Sequence, residues 1–120
     1  MNTDLYDITI IGGGPVGLFG AFYAGLRGMR AKIIDSLPEL GGQLTALYPE
    51  KYVYDMPGFP EVFAKDLAAQ MIRQAMRFKP TVCLEERAEQ LQRTDEGWAI
   101  TTDKGVAHHT RTLVICAGAG

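Results

Sequence analysis

The feature that most limits the fold is a glycine turn that follows a short apolar segment. Residues 6–11 (YDITII) have the β-branched composition of a strand that is buried on both faces of a parallel sheet. The turn has the spacing Gly12-x-Gly14-x-x-Gly17. It leads into residues 16–27, whose small side chains recur at helical spacing and let a helix lie close to a sheet. A strand, a tight turn and a helix are therefore predicted in direct succession.

A second strand and an acidic residue complete the pattern. Residues 31–34 (AKII) are apolar enough for a strand, and Asp35 follows at about 20 residues from the glycine turn. Together these segments predict a βαβ unit with a right-handed crossover. The Asp35 carboxylate could accept hydrogen bonds from the ribose of an adenosine, and it would repel the 2′-phosphate of NADP. Alternatively, Asp35 caps the turn formed by residues 36–38.

Each residue of the glycine turn has a physical task in nucleotide binding. Gly12 permits the tight turn, Gly14 lacks a Cβ so that a pyrophosphate can approach, and Gly17 lets the helix pack against the strand. Pro15 fits the first helical turn, where its missing N–H costs nothing. The N–H groups near Pro15 and Val16 would face the phosphates. The turn predicts a site for the ADP half of either NAD or FAD.

The rest of the chain predicts a second helix and further strands. Residues 36–60 have no clean periodicity and are expected to form a long functional loop. The expected elements after it are a helix over 64–78, a parallel strand over 81–84, three antiparallel strands over 88–93, 98–102 and 106–110, and a last parallel strand over 113–116. The fold class is α/β, a Rossmann-type doubly wound parallel sheet with an inserted three-stranded antiparallel meander. It is expected to be incomplete at its carboxy-terminal end, because the chain ends on a core-type strand and a glycine-rich turn.

Composition limits the classes of partner. Lys and Arg total 12 and Asp and Glu total 14, so a net charge of −2 gives no reason to expect nucleic acid or a membrane surface. No signal peptide is recognisable, and the expected compartment is the cytoplasm. Cys83 and Cys116 stand alone in the sequence and are expected to be buried reduced thiols, so no metal site is predicted.

Three further segments carry a resemblance to a known family. Residues 41–44 (GGQL) and 57–60 (PGFP), together with the meander, resemble the thioredoxin reductase-like flavoproteins. Residues 47–55 (LYPEKYVYD) are more specifically similar to the ferredoxin–NADP reductases of this type. The resemblance extends from residue 6 to residue 120. One departure is Asp35, where many relatives have Glu.

The resemblance implies FAD as the bound cofactor, NADPH as a substrate and ferredoxin as the electron acceptor. Residues 1–120 would form the amino-terminal portion of the FAD-binding domain, and the NADPH-binding domain would be absent from this chain. The full-length protein would be a homodimeric oxidoreductase without a catalytic acid, base or nucleophile in this stretch. A thioredoxin reductase or related flavoprotein, or a non-catalytic nucleotide-binding fragment, is the alternative.

The resemblance also assigns residues along the cofactor beyond the glycine turn and Asp35. These are Gly42, Gln43, Tyr48, Ala88, Ala117 and Gly118. Gln43 would bond near the flavin, Tyr48 would lie on or beside the isoalloxazine, and the Ala88 backbone would meet the adenine. Tyr52 and Tyr54 are expected to cover the long loop instead.

Overall fold

The computed structural model describes residues 4–46 and 50–117, without the side chains of Gln43 and Ala46. Its strands are β1 (Tyr6–Ile11), β2 (Ala31–Ile34), β3 (Tyr52–Val53), β4 (Val62–Phe63), β5 (Thr81–Cys83), β6 (Ala88–Thr94), β7 (Gly97–Thr102) and β8 (Ala107–Ile115). Its helices are α1 (Pro15–Leu26), α2 (Gln43–Ala46) and α3 (Ala64–Ala75), and a 3₁₀ turn (Met76–Phe78) follows α3.

One six-stranded sheet organises the fold in the order β5-β2-β1-β8-β7-β6. β1 is parallel to both β2 and β8, and β2 is parallel to β5. β7 is antiparallel to both β6 and β8. The predicted class, a parallel Rossmann-type sheet with an antiparallel meander, is confirmed.

The meander and the parallel strands share β8, which differs from the prediction. Residues 106–110 and 113–116 were expected as separate strands, but β8 runs without interruption through Arg111 and Thr112. Thr110 pairs with Trp98 on the meander side and with Tyr6 on the parallel side. Because no glycine or proline interrupts this segment, its backbone continues from one pairing to the other.

The long loop holds more secondary structure than its sequence predicts. It contains α2 and β3, and β3 pairs antiparallel with β4. Tyr52 packs edge-on against Phe63 with 5.0 Å between ring centroids, whereas Tyr54 is exposed. Elements of two to four residues are too short for a periodic signal, so sequence alone does not reveal them.

The apolar core lies between one face of the parallel strands and the helices α1 and α3. Its buried members are Ile10, Leu18, Ala21, Ile33, Leu40 and Ala75. α1 also exposes large apolar side chains on its outer side, including Phe19, Tyr23 and Leu26. Among the described residues, no helix combines the length and the apolar character needed to cross a membrane.

Candidate nucleotide-binding site

Gly12 lets the ends of three parallel strands meet. Its φ of +115° disfavours any side chain, and a Cβ there would overlap the carbonyl oxygen of Cys116. The Gly12 N–H donates to Ile34 O at 2.8 Å, and the Cys116 N–H donates to Ile11 O at 2.7 Å. The carboxyl ends of β1, β2 and β8 are therefore tied together at one edge of the sheet, where open α/β sheets bind their ligands.

Gly17 has the packing role that the sequence predicts. A Cβ at Gly17 would overlap the Gly12 carbonyl oxygen and lie 3.2 Å from Ile10 Cγ2. Since neither backbone nor a buried strand residue can give way easily, only glycine lets α1 approach β1 this closely.

Gly14 differs from Gly12 and Gly17 because no described protein atom requires a glycine there. Its φ of −79° suits any residue, and a Cβ would meet only Gly42 Cα at 3.8 Å, an ordinary contact. The missing side chain leaves space directly in front of the helix. A phosphate group would need this space to approach the helix.

The amino terminus of α1 is open and carries an excess of N–H donors. Pro15 begins the helix, no described side chain caps it, and its first turn contains no acidic residue. The N–H groups of Val16 and Gly17 lack partners within the helix by geometry, and the Val16 side chain is 73% exposed. Free donors and the positive end of the helix dipole favour an anion at this position.

Asp35 holds the turn by both carboxylate oxygens. Oδ2 accepts from the Gly13 N–H at 2.5 Å, and Oδ1 accepts from the Leu37 N–H at 2.9 Å. The capping role that the sequence left open is thus observed. A carboxylate has about four lone-pair sites, so acceptor capacity remains on both oxygens. The ribose contact stays a prediction.

The GGQL segment lies against the glycine turn. The Gly41 N–H donates to Gly13 O at 2.9 Å, and a Cβ at Gly42 would lie 2.9 Å from Gly14 Cα. Gly42 also has a φ of +58°. Gln43 follows as the first residue of α2, and its side chain is not among those described.

Two other residues that are predicted to contact the cofactor follow segments bonded to this edge of the sheet. Ala88 begins β6, and the preceding segment is bonded to the Asp35 loop because the Glu86 N–H donates to Asp35 O at 3.0 Å. Ala117 is exposed and follows Cys116, beside Gly12. Tyr48 and Gly118 lie outside the described residues.

A buried polar network near this edge was missed by the sequence analysis. Lys32 Nζ lies 2.9 Å from His108 Nδ1, and His108 Nε2 lies 2.9 Å from Glu86 Oε1. Thr102 Oγ1 donates to the same Glu86 oxygen at 2.9 Å. A lysine within the otherwise apolar segment AKII was the available signal, because a buried lysine needs a partner.

Cys83, Glu86 and His108 each offer a potential metal ligand, with the three ligand atoms within 4.8 Å of one another. However, the Lys32 ammonium already supplies a positive charge, at 2.9 Å from the imidazole. Burial raises the pKa of the Cys83 thiol, which opposes the thiolate form that metals bind. We therefore interpret this cluster as a hydrogen-bonded network with its own cation.

Comparison of the sequence with known proteins shows what the chain resembles. No family model matches it. A ferredoxin–NADP reductase of Geobacillus thermodenitrificans is 54% identical over 120 residues, which cover 99% of this chain and 36% of that protein. The ferredoxin–NADP reductase of Halalkalibacterium halodurans is 55% identical over 118 residues, which cover 98% of this chain and 36% of that protein. The resemblance to ferredoxin–NADP reductases is confirmed. The chain spans about a third of the length of these relatives.

Solved structures support the fold. A thioredoxin reductase from Streptococcus pyogenes superposes with a TM-score of 0.85 at 23% identity, covering 99% of this chain and 37% of that one. A thioredoxin reductase from Gloeobacter violaceus gives a TM-score of 0.77 at 27% identity, covering 95% and 34%. The relatives found by sequence are thus ferredoxin–NADP reductases, and the solved structures with a similar fold are thioredoxin reductases.

In this ferredoxin–NADP reductase-like chain, the described residues fit the ADP half of a dinucleotide. The space before Gly14, the uncapped start of α1 and the remaining lone pairs of Asp35 lie at one edge of the sheet. They offer, in turn, room for a pyrophosphate, donors for its oxygens and acceptors for ribose hydroxyls.

Proposed function

We propose that this chain is the amino-terminal portion of the FAD-binding domain of an oxidoreductase that passes electrons between NADPH and ferredoxin. The observation that carries the proposal is the glycine at position 14, whose missing side chain serves no contact within the described protein. Identities of 54% and 55% to ferredoxin–NADP reductases support this electron acceptor over thioredoxin.

The ADP half of FAD would be held by the glycine turn and its neighbours. The N–H groups of Val16 and Gly17 would bind the pyrophosphate, and Asp35 would accept from the ribose while it also holds the turn. The Ala88 backbone would lie at the adenine.

The flavin half would lie toward the loop that follows β2 and the end of β8. Gly42, Gln43, Tyr48, Ala117 and Gly118 would line this half. A bound flavin supplies hydride and single-electron chemistry, so the task of these residues is to orient the ring and exclude water. NADPH would bind to a domain outside this chain.

The same proposal includes a cytoplasmic homodimer. Phe19, Tyr23 and Leu26 on the outer side of α1 are each more than half exposed, at 53%, 51% and 55%. Such a helix is apolar on every side, which is typical of a helix that is covered in the assembled protein. Cys83 and Cys116 are free thiols, as expected in a reducing compartment, but both are half-buried rather than buried as the sequence predicts.

The proposal is tested with the full-length protein. We expect a flavin absorption spectrum, release of FAD on denaturation, and NADPH-driven reduction of ferredoxin that far exceeds reduction of thioredoxin. Efficient thioredoxin reduction would assign the protein to the alternative enzyme. A colourless protein that releases only NAD would instead favour a nucleotide-binding module without turnover.

A further inference from the structure

Hydrogen bonds join the side chains of Lys32, His108 and Glu86 in one line. An ammonium group can only donate, so His108 Nδ1 accepts from Lys32 and the ring proton lies on Nε2, which donates to Glu86. The imidazole therefore bridges a buried lysine and a carboxylate. Lys32 is 7% exposed and His108 is 5% exposed, so their side chains form hydrogen bonds mainly with protein groups and little with water.

The network links the meander to the strand that ends at the candidate nucleotide site. Lys32 lies in β2, three residues before Asp35, and His108 lies in β8. Glu86 follows β5 and takes part in three hydrogen bonds: its side chain bonds to His108 and Thr102, and its backbone N–H donates to Asp35 O. These contacts thus run from Lys32 in β2 through His108 and Glu86 to Asp35, which directly follows β2.

The segment held by these contacts has a backbone that needs support. Glu85 has a φ of +57°, an uncommon conformation for a residue with a side chain. Its N–H donates to Leu37 O at 3.0 Å, next to the Glu86 contact with Asp35. Conformations of this kind persist where the surroundings fix them. The two carboxylate contacts of Glu86 supply part of that constraint.

We propose that Lys32, His108 and Glu86 are positioning residues for the adenosine end of the nucleotide site. They hold the segment before Ala88 against Asp35, so that one side of the nucleoside meets the Ala88 backbone and the other meets the carboxylate. The inference rests on the proposed function, because it takes the nucleotide to lie between these two groups.

The test uses three variants of the full-length protein. His108→Leu removes both bonds of the imidazole. His108→Gln retains an amide that can donate to Glu86 and accept from Lys32. Ile100→Ala is the matched control, because Ile100 is fully buried in β7, pairs with His108 across the strands and has no polar role.

Two quantities are measured for each variant: the FAD dissociation constant of stripped protein and the free energy of unfolding in urea. We expect His108→Leu to weaken FAD by about three- to tenfold, the equivalent of about one hydrogen bond. His108→Gln should restore affinity to within about twofold of wild type. Ile100→Ala should lower stability but leave the dissociation constant unchanged.

A milder variant keeps the test decisive if His108→Leu does not fold. Thr102→Val removes only the hydroxyl that donates to Glu86 Oε1, and it should weaken FAD by about two- to fivefold.

Some results would overturn the inference alone. These are unchanged FAD affinity in both His108→Leu and Thr102→Val, no rescue by His108→Gln, or an equal loss of affinity in Ile100→Ala. Wild-type protein that binds no FAD would be a different failure, because it would overturn the proposed function and the positioning role with it.

Discussion

The two faces of the parallel strands are buried to the same degree but by different chemistry. On β1, Ile10 is 1% exposed and Thr9 is 0% exposed, and on β2 the neighbours Ile33 and Lys32 are 0% and 7% exposed. Successive strand residues point to opposite faces. Ile10 and Ile33 enter the apolar core beneath the helices, whereas Lys32 enters the polar network beneath the meander.

Apolar contacts and buried hydrogen bonds have different roles: the first mainly stabilise the fold, and the second mainly position the candidate site. An apolar contact tolerates adjustment because its free energy depends on buried area. A hydrogen bond between buried groups requires its partners at set distances and angles. The apolar contacts of the helix side therefore contribute mainly to stability, whereas the polar network on the meander side also fixes the Glu86 segment next to Asp35.

The largest change in the free energy of unfolding is expected for a substitution on the helix side. Ile10→Ala should lower the free energy of unfolding by about 2–5 kcal/mol, because it removes buried methyl groups and leaves a cavity beneath α1. Urea denaturation of the full-length protein measures this loss. A loss below about 1 kcal/mol would show that the helix side does not carry the core as described.

A smaller change in the free energy of unfolding, of opposite sign, is expected for a substitution of Thr9. Thr9 Oγ1 is buried and has no hydrogen-bond partner among the described residues. Thr9→Val keeps the shape and removes this unsatisfied hydroxyl, so the free energy of unfolding should rise by about 1 kcal/mol. A decrease in the same urea experiment would mean that the hydroxyl has a stabilising contact.

The elements whose sequence signals are local were predicted correctly. The segments around Gly12 and the small residues of α1 gave β1, α1 and β2 with nearly correct bounds, because their signals lie within a few residues of each other. The contacts of Lys32 could not be predicted in the same way, since its partner His108 is 76 residues away. The pairing of these residues depends on how the meander packs, which a local pattern does not encode.

In the candidate site, too, local features were predicted from the sequence and long-range bonds were not. Gly12, Gly14 and Gly17 were found by their spacing, and the tasks of Gly12 and Gly17 follow directly from the backbone around them. The bond from Gly13 to Asp35 was not predicted, because it requires the relative positions of two strand ends. The sequence therefore predicted the backbone tasks of Gly12 and Gly17 but not the bond between Gly13 and Asp35, and the nucleotide contacts of these residues stay predictions.

The smallest expected effect is the contribution of Glu86 to the pH dependence of stability. Burial raises the pKa of Glu86, but hydrogen bonds from His108 and Thr102 lower it. The charges of His108 and Lys104 act in the same direction, and the net pKa lies below the ordinary value of 4.5. A lowered folded-state pKa means that ionised Glu86 adds stability above pH 4.5, and that this stability is lost as pH falls through the folded-state pKa.

Urea denaturation from pH 7 to pH 3 should therefore show Glu86→Gln to be less stable than wild type at neutral pH. The two curves should converge in acid. Parallel curves over the whole range would contradict the role of the Glu86 charge and weaken the contrast between the two faces.

The central claim is that the open start of α1 holds the phosphates of FAD, and Gly14→Ala in the full-length protein tests it most directly. The new Cβ would meet only Gly42 Cα at 3.8 Å, so the protein should fold normally. The matched control is Gly20→Ala in the same helix, whose Cβ would make an ordinary contact with Ile10 Cδ1 at 3.4 Å. We expect Gly14→Ala to bind FAD roughly five- to 150-fold more weakly, the equivalent of an overpacking cost of about 1–3 kcal/mol, and Gly20→Ala to bind it as wild type does. Stoichiometric FAD at wild-type affinity in Gly14→Ala would contradict the claim.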